Sequence, residues 1–233
     1  DTAINAMYTC SSTNPQKVTI TYGQTASVSF VNKLNQGNLA LTKVTDDNKN
    51  LSGWQFGIYT DYACNNLVSG PHTTDANGKI SVTGLTPGSY YVKEIGHSNS
   101  NINSQYACSS TNPQQVTIGI GSTASVSFTN KVKTGHFSLV KTTADNQNLA
   151  GWKFGIYSDA SCNTLVSGPH TTGTGGRISV TGLKIGTYYV KEIGHTEPSV
   201  EAQYVCTTEN PQKVTITYGG TASVSFHNDL IPG

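Results

Sequence analysis

Six polar residues stand where a strand pattern calls for apolar ones. Lys43 continues the alternation Leu39, Leu41; Glu94 continues Tyr90, Val92; and Asn130 continues Val126, Phe128. Lys141 after Phe137 and Leu139, Glu192 after Tyr188 and Val190, and Asn228 after Val224 and Phe226 repeat the arrangement. Residues two apart on a strand share a face, so each of these side chains enters a core and needs a reason to be there. An ammonium cannot attack a carbonyl, but apolar burial can depress a lysine pKa, by about 3 to 5 in extreme cases, and leave a nucleophilic amine. Burial pushes a carboxyl the other way, so that it holds a proton, polarises a carboxamide carbonyl and relays protons. The alternative is a buried Lys–Glu ion pair beside an Asn hydrogen bond, which often contributes little net stability.

The elements that must position these residues follow from an internal repeat. Sliding the sequence by 98 residues aligns SGWQFGIYTDYACNNLVSGPHTT at 52–74 with AGWKFGIYSDASCNTLVSGPHTT at 150–172, and YYVKEIGH recurs at 90–97 and 188–195. A third stretch occurs three times, opening at Tyr8, Tyr106 and Tyr204. The organisation is therefore the closing third of a module at 1–36 and complete modules at 37–134 and 135–233, a chain that starts in mid-module. Short apolar runs bounded by Gly, Pro, Asn and Asp clusters predict an all-β fold of tandem immunoglobulin-like sandwiches, with about seven strands each and no useful helix. Asp75, Ala76, Asn77 and Gly78, then Pro87 and Gly88, supply the turn chemistry.

The stretches LALTKVTDDNKNLSGWQFGIY, TTDANGKISVTGLTPGSYYVKEI and SVSFTNK resemble the Cna B-type, or SpaA-like, domains of Gram-positive surface adhesins and pilins. The resemblance spans both complete modules, and 18–33 matches the closing strands of a third. It implies a prealbumin-like sandwich whose first and last strands are joined by a spontaneous amide between Lys and Asn side chains, assisted by an acidic residue. Carried over by position, Lys43 joins Asn130 with Glu94 assisting, and Lys141 joins Asn228 with Glu192 assisting. Such a reaction is a single turnover on self, so the chain is not an enzyme in the usual sense.

Charged residues make up 12% of the chain against about 25% in average soluble domains, and Ser, Thr, Asn and Gly fill the gap, a composition of secreted surfaces. A net charge of +1 argues against nucleic acid or an anionic membrane as partner, and no apolar run reaches the ~20 residues of a membrane span. The chain opens at Asp1 without a leader, as expected of a processed protein or a fragment. In an extracellular setting Cys10, Cys64, Cys108, Cys162 and Cys206 argue for disulfides. Two pairings suit the period: Cys64–Cys108 with Cys162–Cys206, or Cys10–Cys64 with Cys108–Cys162. The first is preferred because it closes each module on itself, worth about 4 kcal/mol per loop, and leaves only Cys10 over. A zinc site is disfavoured by single, widely spaced cysteines. The part-module at 1–36 holds Asn32 without a Lys or Glu to match: truncation of a longer array is the preferred reading, and completion by neighbouring repeats or copies of the chain is the alternative.

Other candidates have plainer readings. Asp46, Asn48 and Asn50 resemble the start of a calcium loop but lack its glycine and closing glutamate, so a polar hairpin is expected. His72, His97, His170 and His195 recur as turn structure, Trp54 and Trp152 as core in preference to a sugar platform, and Asn50-Leu51-Ser52 as a glycosylation sequon. No cofactor or metal site is evident. The expectation is an extracellular, cell-surface stalk, pilus or filament segment. A ligand-binding adhesin is the alternative, and it should carry an insertion unique to one module.

Overall fold

Strands with one dry face and one wet face build both modules, and the dry faces meet. The computed structural model describes residues 2–232 and divides into two compact units, Asp1–Lys131 and Val132–Gly233. In the first, β3 (Gly37–Thr45), β4 (Trp54–Tyr59), β5 (Leu67–Thr73), β6 (Lys79–Leu85), β7 (Gly88–His97), β8 (Tyr106–Cys108), β9 (Gln114–Ile118) and β10 (Thr123–Val132) form two four-stranded sheets. Their orders are β6-β3-β10-β8 and β5-β4-β7-β9. Burial alternates along all of β3, with Leu39, Leu41, Lys43 and Thr45 on the dry face. Facing side chains interlock as Phe56 and Phe128 do, with ring centroids 5.1 Å apart.

The second unit repeats the plan. Here β11 (Thr134–Thr143), β12 (Trp152–Tyr157), β13 (Leu165–Thr171), β14 (Arg177–Lys184), β15 (Gly186–His195), β16 (Tyr204–Cys206), β17 (Gln212–Ile216) and β18 (Thr221–Leu230) give the orders β14-β11-β18-β16 and β13-β12-β15-β17. Phe137, Leu139, Phe154, Val190 and Phe226 lead its core.

First and last strands of each module are parallel neighbours. β3 pairs β10 with Lys43 opposite Phe128 and Thr45 opposite Asn130; β11 pairs β18 with Lys141 opposite Phe226 and Thr143 opposite Asn228. The other strand pairs described within the modules are antiparallel.

Each module has eight strands where about seven were expected; β8 and β16 span only three residues each. Short helices α2 (Ser100–Gln105) and α3 (Pro198–Glu201) also escape a periodicity reading, because neither is long enough to show a repeat. The Asn99 side chain caps α2 by accepting from the Asn101 N–H.

Ahead of these modules lie α1 (Thr2–Met7), β1 (Tyr8–Cys10) and β2 (Asn32–Leu34), the two strands pairing antiparallel with Cys10 opposite Asn32. The closing strands expected over 18–33 are not formed across 17–31. Val18, Ile20 and Phe30 are 46%, 71% and 53% exposed, while their repeat counterparts Val116, Ile118 and Phe128 are 9%, 1% and 0% exposed. A strand needs a ladder partner and a facing sheet. Among the described residues none is placed against this stretch.

The β5–β6 turn fixes the middle of β3. Gly78 has φ +70°, its carbonyl accepts from the Lys43 N–H at 2.7 Å, and a Cβ built on it would lie 2.4 Å from the Lys43 carbonyl oxygen. Gly78→Ala should therefore destabilise the first module by about 1–3 kcal/mol, read as a lower denaturation midpoint. An unchanged midpoint would contradict this account of the turn.

Candidate functional site

Strand phase turns Lys43, Glu94 and Asn130 into one buried cluster. Lys43 and Asn130 come from adjacent strands of one sheet, and Glu94 reaches them from the sheet opposite. They are 1%, 7% and 1% exposed. Lys43 Nζ lies 2.9 Å from Glu94 Oε2, and Asn130 Nδ2 donates to Glu94 Oε1 at 2.7 Å. In the second module Lys141 Nζ is 3.1 Å from Glu192 Oε2, and Asn228 Nδ2 donates to Glu192 Oε1 at 2.7 Å. All six predicted residues are thus assembled three by three.

The carboxyl contacts the amide at its nitrogen, where the sequence reading had it polarise the carbonyl. One carboxyl group consequently bridges the lysine nitrogen and the amide nitrogen. The clusters are poorly satisfied despite these short distances. Lys43 Nζ, Glu94 Oε2 and Asn130 Oδ1, with Lys141 Nζ, Glu192 Oε2 and Asn228 Oδ1, are buried without a well-directed hydrogen bond among the described residues. Nζ and Oε2 nonetheless stand at ion-pair distance from each other, so the amide oxygens Asn130 Oδ1 and Asn228 Oδ1 are the atoms left with no polar partner. An orphaned amide oxygen costs about 1–3 kcal/mol, so each cluster carries that penalty as it stands.

Burial lowers the pKa of Lys43 and of Lys141 from the ordinary 10.5, opposed by the neighbouring Glu94 or Glu192 and, more weakly, by Cys108 or Cys206. That is the direction a nucleophilic amine requires.

Two further side chains hold the backbone at the glutamates. Asn112 Oδ1 accepts from the Glu94 N–H at 2.9 Å while its Nδ2 donates to the Glu94 carbonyl at 3.1 Å; Asn210 does the same for Glu192 at 3.0 and 3.3 Å. Sequence reasoning passed over them, although Asn-Pro-Gln recurs at Asn14, Asn112 and Asn210.

All five cysteines are free thiols in the structure. The charged groups acting on Cys64 are Lys93 and Asp61, whereas Glu94 and Lys43 act on Cys108. In the second module Lys191 and Asp159 are the charged groups acting on Cys162. A repeat period shows only that equivalent cysteines behave alike; it does not say which ones face each other.

The remaining candidates resolve as scaffold. Trp54 and Trp152 are 1% and 2% exposed, which removes them as sugar platforms. His72 and His170 bond Ser69 and Ser167 at 2.8 Å across the Gly-Pro turn. Asn48 and Asn50 adopt φ +53° in a hairpin, and no group of three or more metal-ligating side chains occurs among the described residues. No helix is long and apolar enough to cross a membrane.

Fold and site together define tandem prealbumin-like sandwiches that carry a Lys-Glu-Asn cluster between the first and last strands. The family model for the SpaA prealbumin-like fold domain matches residues 37–132 and 135–230, and the chain belongs to that family. Among solved structures it is similar to the Bacillus anthracis TIE protein, at 22% identity and TM-score 0.62, covering 89% of this chain and 36% of that one. It also matches the C-terminal fragment of pilus adhesin SpaC from Lactobacillus rhamnosus GG (13% identity, TM-score 0.48, 85% and 98% covered). A Streptococcal ancillary pilin matches at 21% identity and TM-score 0.37, with 93% and 74% covered. No curated protein matches.

The worth of the carboxylate is measurable where no bond can form. In an Asn130→Ala background, adding Glu94→Ala leaves Lys43 buried without its partner and should cost about 3–5 kcal/mol. Burial then lowers Lys43 unopposed, so over the alkaline range below 10.5 the unfolded chain holds more protons than the folded one. Stability of the double variant should rise as pH rises towards that value, in denaturation midpoints taken across the range. A flat or falling profile would contradict the assignment.

Proposed function

We propose that the chain is a structural segment of an extracellular stalk, pilus or filament, each module locked by a Lys–Asn isopeptide bond that it makes itself. The observation that carries this is the buried cluster of lysine, carboxyl and carboxamide, built twice with the same contacts and left short of hydrogen bonds both times.

The reaction follows from those contacts. Neutral Lys43 Nζ attacks Cγ of Asn130; the new C–N bond replaces the Cγ–Nδ2 bond, and ammonia leaves. Glu94 Oε2 takes one proton from Nζ while Oε1, against Nδ2, supplies the proton that makes the leaving group ammonia. Lys141, Asn228 and Glu192 perform the same step. The neutral amine arises when the Lys43 ammonium gives a proton to the Glu94 carboxylate, so closure replaces the charged pair by a neutral amide and a protonated carboxyl, with ammonia released.

The strand order gives the bond a mechanical purpose. Because β3 and β10 are parallel neighbours, tension applied at the start of one and the end of the other shears their ladder along its whole length. An amide from Lys43 to Asn130 spans that ladder covalently and shields everything between the two residues from load. Residues 2–36 fit the scheme as the closing part of a further module, since Cys10 opposes Asn32 as Cys206 opposes Asn228. Strands from neighbouring repeats or copies of the chain would cover Val18, Ile20 and Phe30.

Single-molecule pulling from the two ends tests the load-bearing role. The wild-type chain should extend without an unfolding step from either complete module, and Lys43→Met should restore one step, that of the first module. Two unfolding steps in the wild-type chain would overturn the proposal.

A further inference from the structure

We infer that Trp54 and Trp152 are positioning residues for amide formation, each holding its lysine nitrogen inside the cluster and shutting water out. The inference rests on the proposed Lys–Asn bond and adds a residue to its machinery. Lys43 Nζ lies 4.6 Å from the centre of the Trp54 ring, and Lys141 Nζ lies 4.6 Å from that of Trp152. A ring face attracts an ammonium, which draws the end of a flexible side chain to one spot. Its bulk does the opposite to the charge, because it occupies the space from which water would otherwise solvate the nitrogen. Burial is the largest influence on both lysines, so exclusion of water outweighs attraction of the cation.

Each ring is itself clamped. Trp54 Nε1 donates to the Asn50 carbonyl at 2.7 Å, and the backbone N–H of Trp54 donates to Thr74 Oγ1 at 2.9 Å. His97 and Tyr106 meet the ring edge-on at 5.1 and 5.8 Å. Tyr106 is fixed in turn, its hydroxyl donating to Asp47 and accepting from Asn50 Nδ2 at 3.0 Å, and His97 Nε2 bonds the Ser52 carbonyl at 2.7 Å. The second module repeats the clamp through Asn148, Thr172, His195, Tyr204 and Asp145. Two copies of so many fixed contacts around one indole are more than filling a core requires. The charged or titratable groups acting on Lys43 are Glu94 and Cys108, with His97 and Tyr106 at the edges of the ring.

The chain carries its own control, since a change at Trp54 leaves the second module untouched. Chains recovered unfolded from insoluble aggregates in denaturant would be refolded at a series of pH values, quenched and digested, and ammonia loss followed for each module by mass. Trp54→Leu should slow closing of the first module at neutral pH by about tenfold or more, because readmitted water returns the amine towards its charged form. Raising the pH should restore the rate, and the second module should close as in the wild type. Trp54→Phe keeps a ring face and should fall between. Tyr106→Phe, which loosens the clamp and leaves the indole in place, should shift the pH profile in the same direction by less, and it carries the test if Trp54→Leu does not fold.

A role confined to stability would lower the folded yield without moving the pH profile of the folded fraction. Unchanged rate and pH profile in these variants would overturn the inference and leave the amide intact. Ammonia loss from neither module of the wild type would remove the amide and the inference together.

Discussion

Holding a lysine amine out of water between two sheets is the constraint from which the rest of each module follows. A charged amine would not remain there without compensation, and the compensation seen here is incomplete: one carboxyl is shared between an amine and an amide, and the amide oxygen has no partner. An ordinary stabilising ion pair would be better satisfied. On the proposed reading, closure to an amide would remove the charge and the mismatch together.

The sandwich supplies this arrangement through elementary strand geometry. Nucleophile and electrophile lie in neighbouring strands of one sheet, two positions apart in a parallel register that sets both side chains on the dry face. The carboxyl must then come from the opposite sheet, where Asn112 or Asn210 grips its backbone on both sides. The pair so placed belongs to the first and last strands of the module, the two that bear load when the ends of the chain are pulled. Chemistry and mechanics thus select the same positions.

Much of this was legible because a period of two leaves a plain trace. Lys43, Glu94 and Asn130 betrayed themselves by continuing apolar alternations, and comparing the repeats showed the same lapse a second time. What was missed depends on geometry that alternation does not encode. The orientation of the Asn130 amide, with nitrogen rather than oxygen towards Glu94, follows from three-dimensional contact. The cysteines carry a period but no face, so the repeat alone does not decide which of them pair. Residues 17–31 have the pattern of strands and lack what a strand is made against. Trp54 was read as core, which it is, yet only its distance from Lys43 reveals what that piece of core faces.

The central claim, that the clusters are sites of covalent closure, is tested most directly by tandem mass spectrometry of a protease digest of the folded chain. The account predicts two branched peptides, one joining Lys43 to Asn130 and the other Lys141 to Asn228, each lighter by one ammonia than its unjoined halves. Recovery of all four residues in ordinary linear peptides of unaltered mass would contradict it.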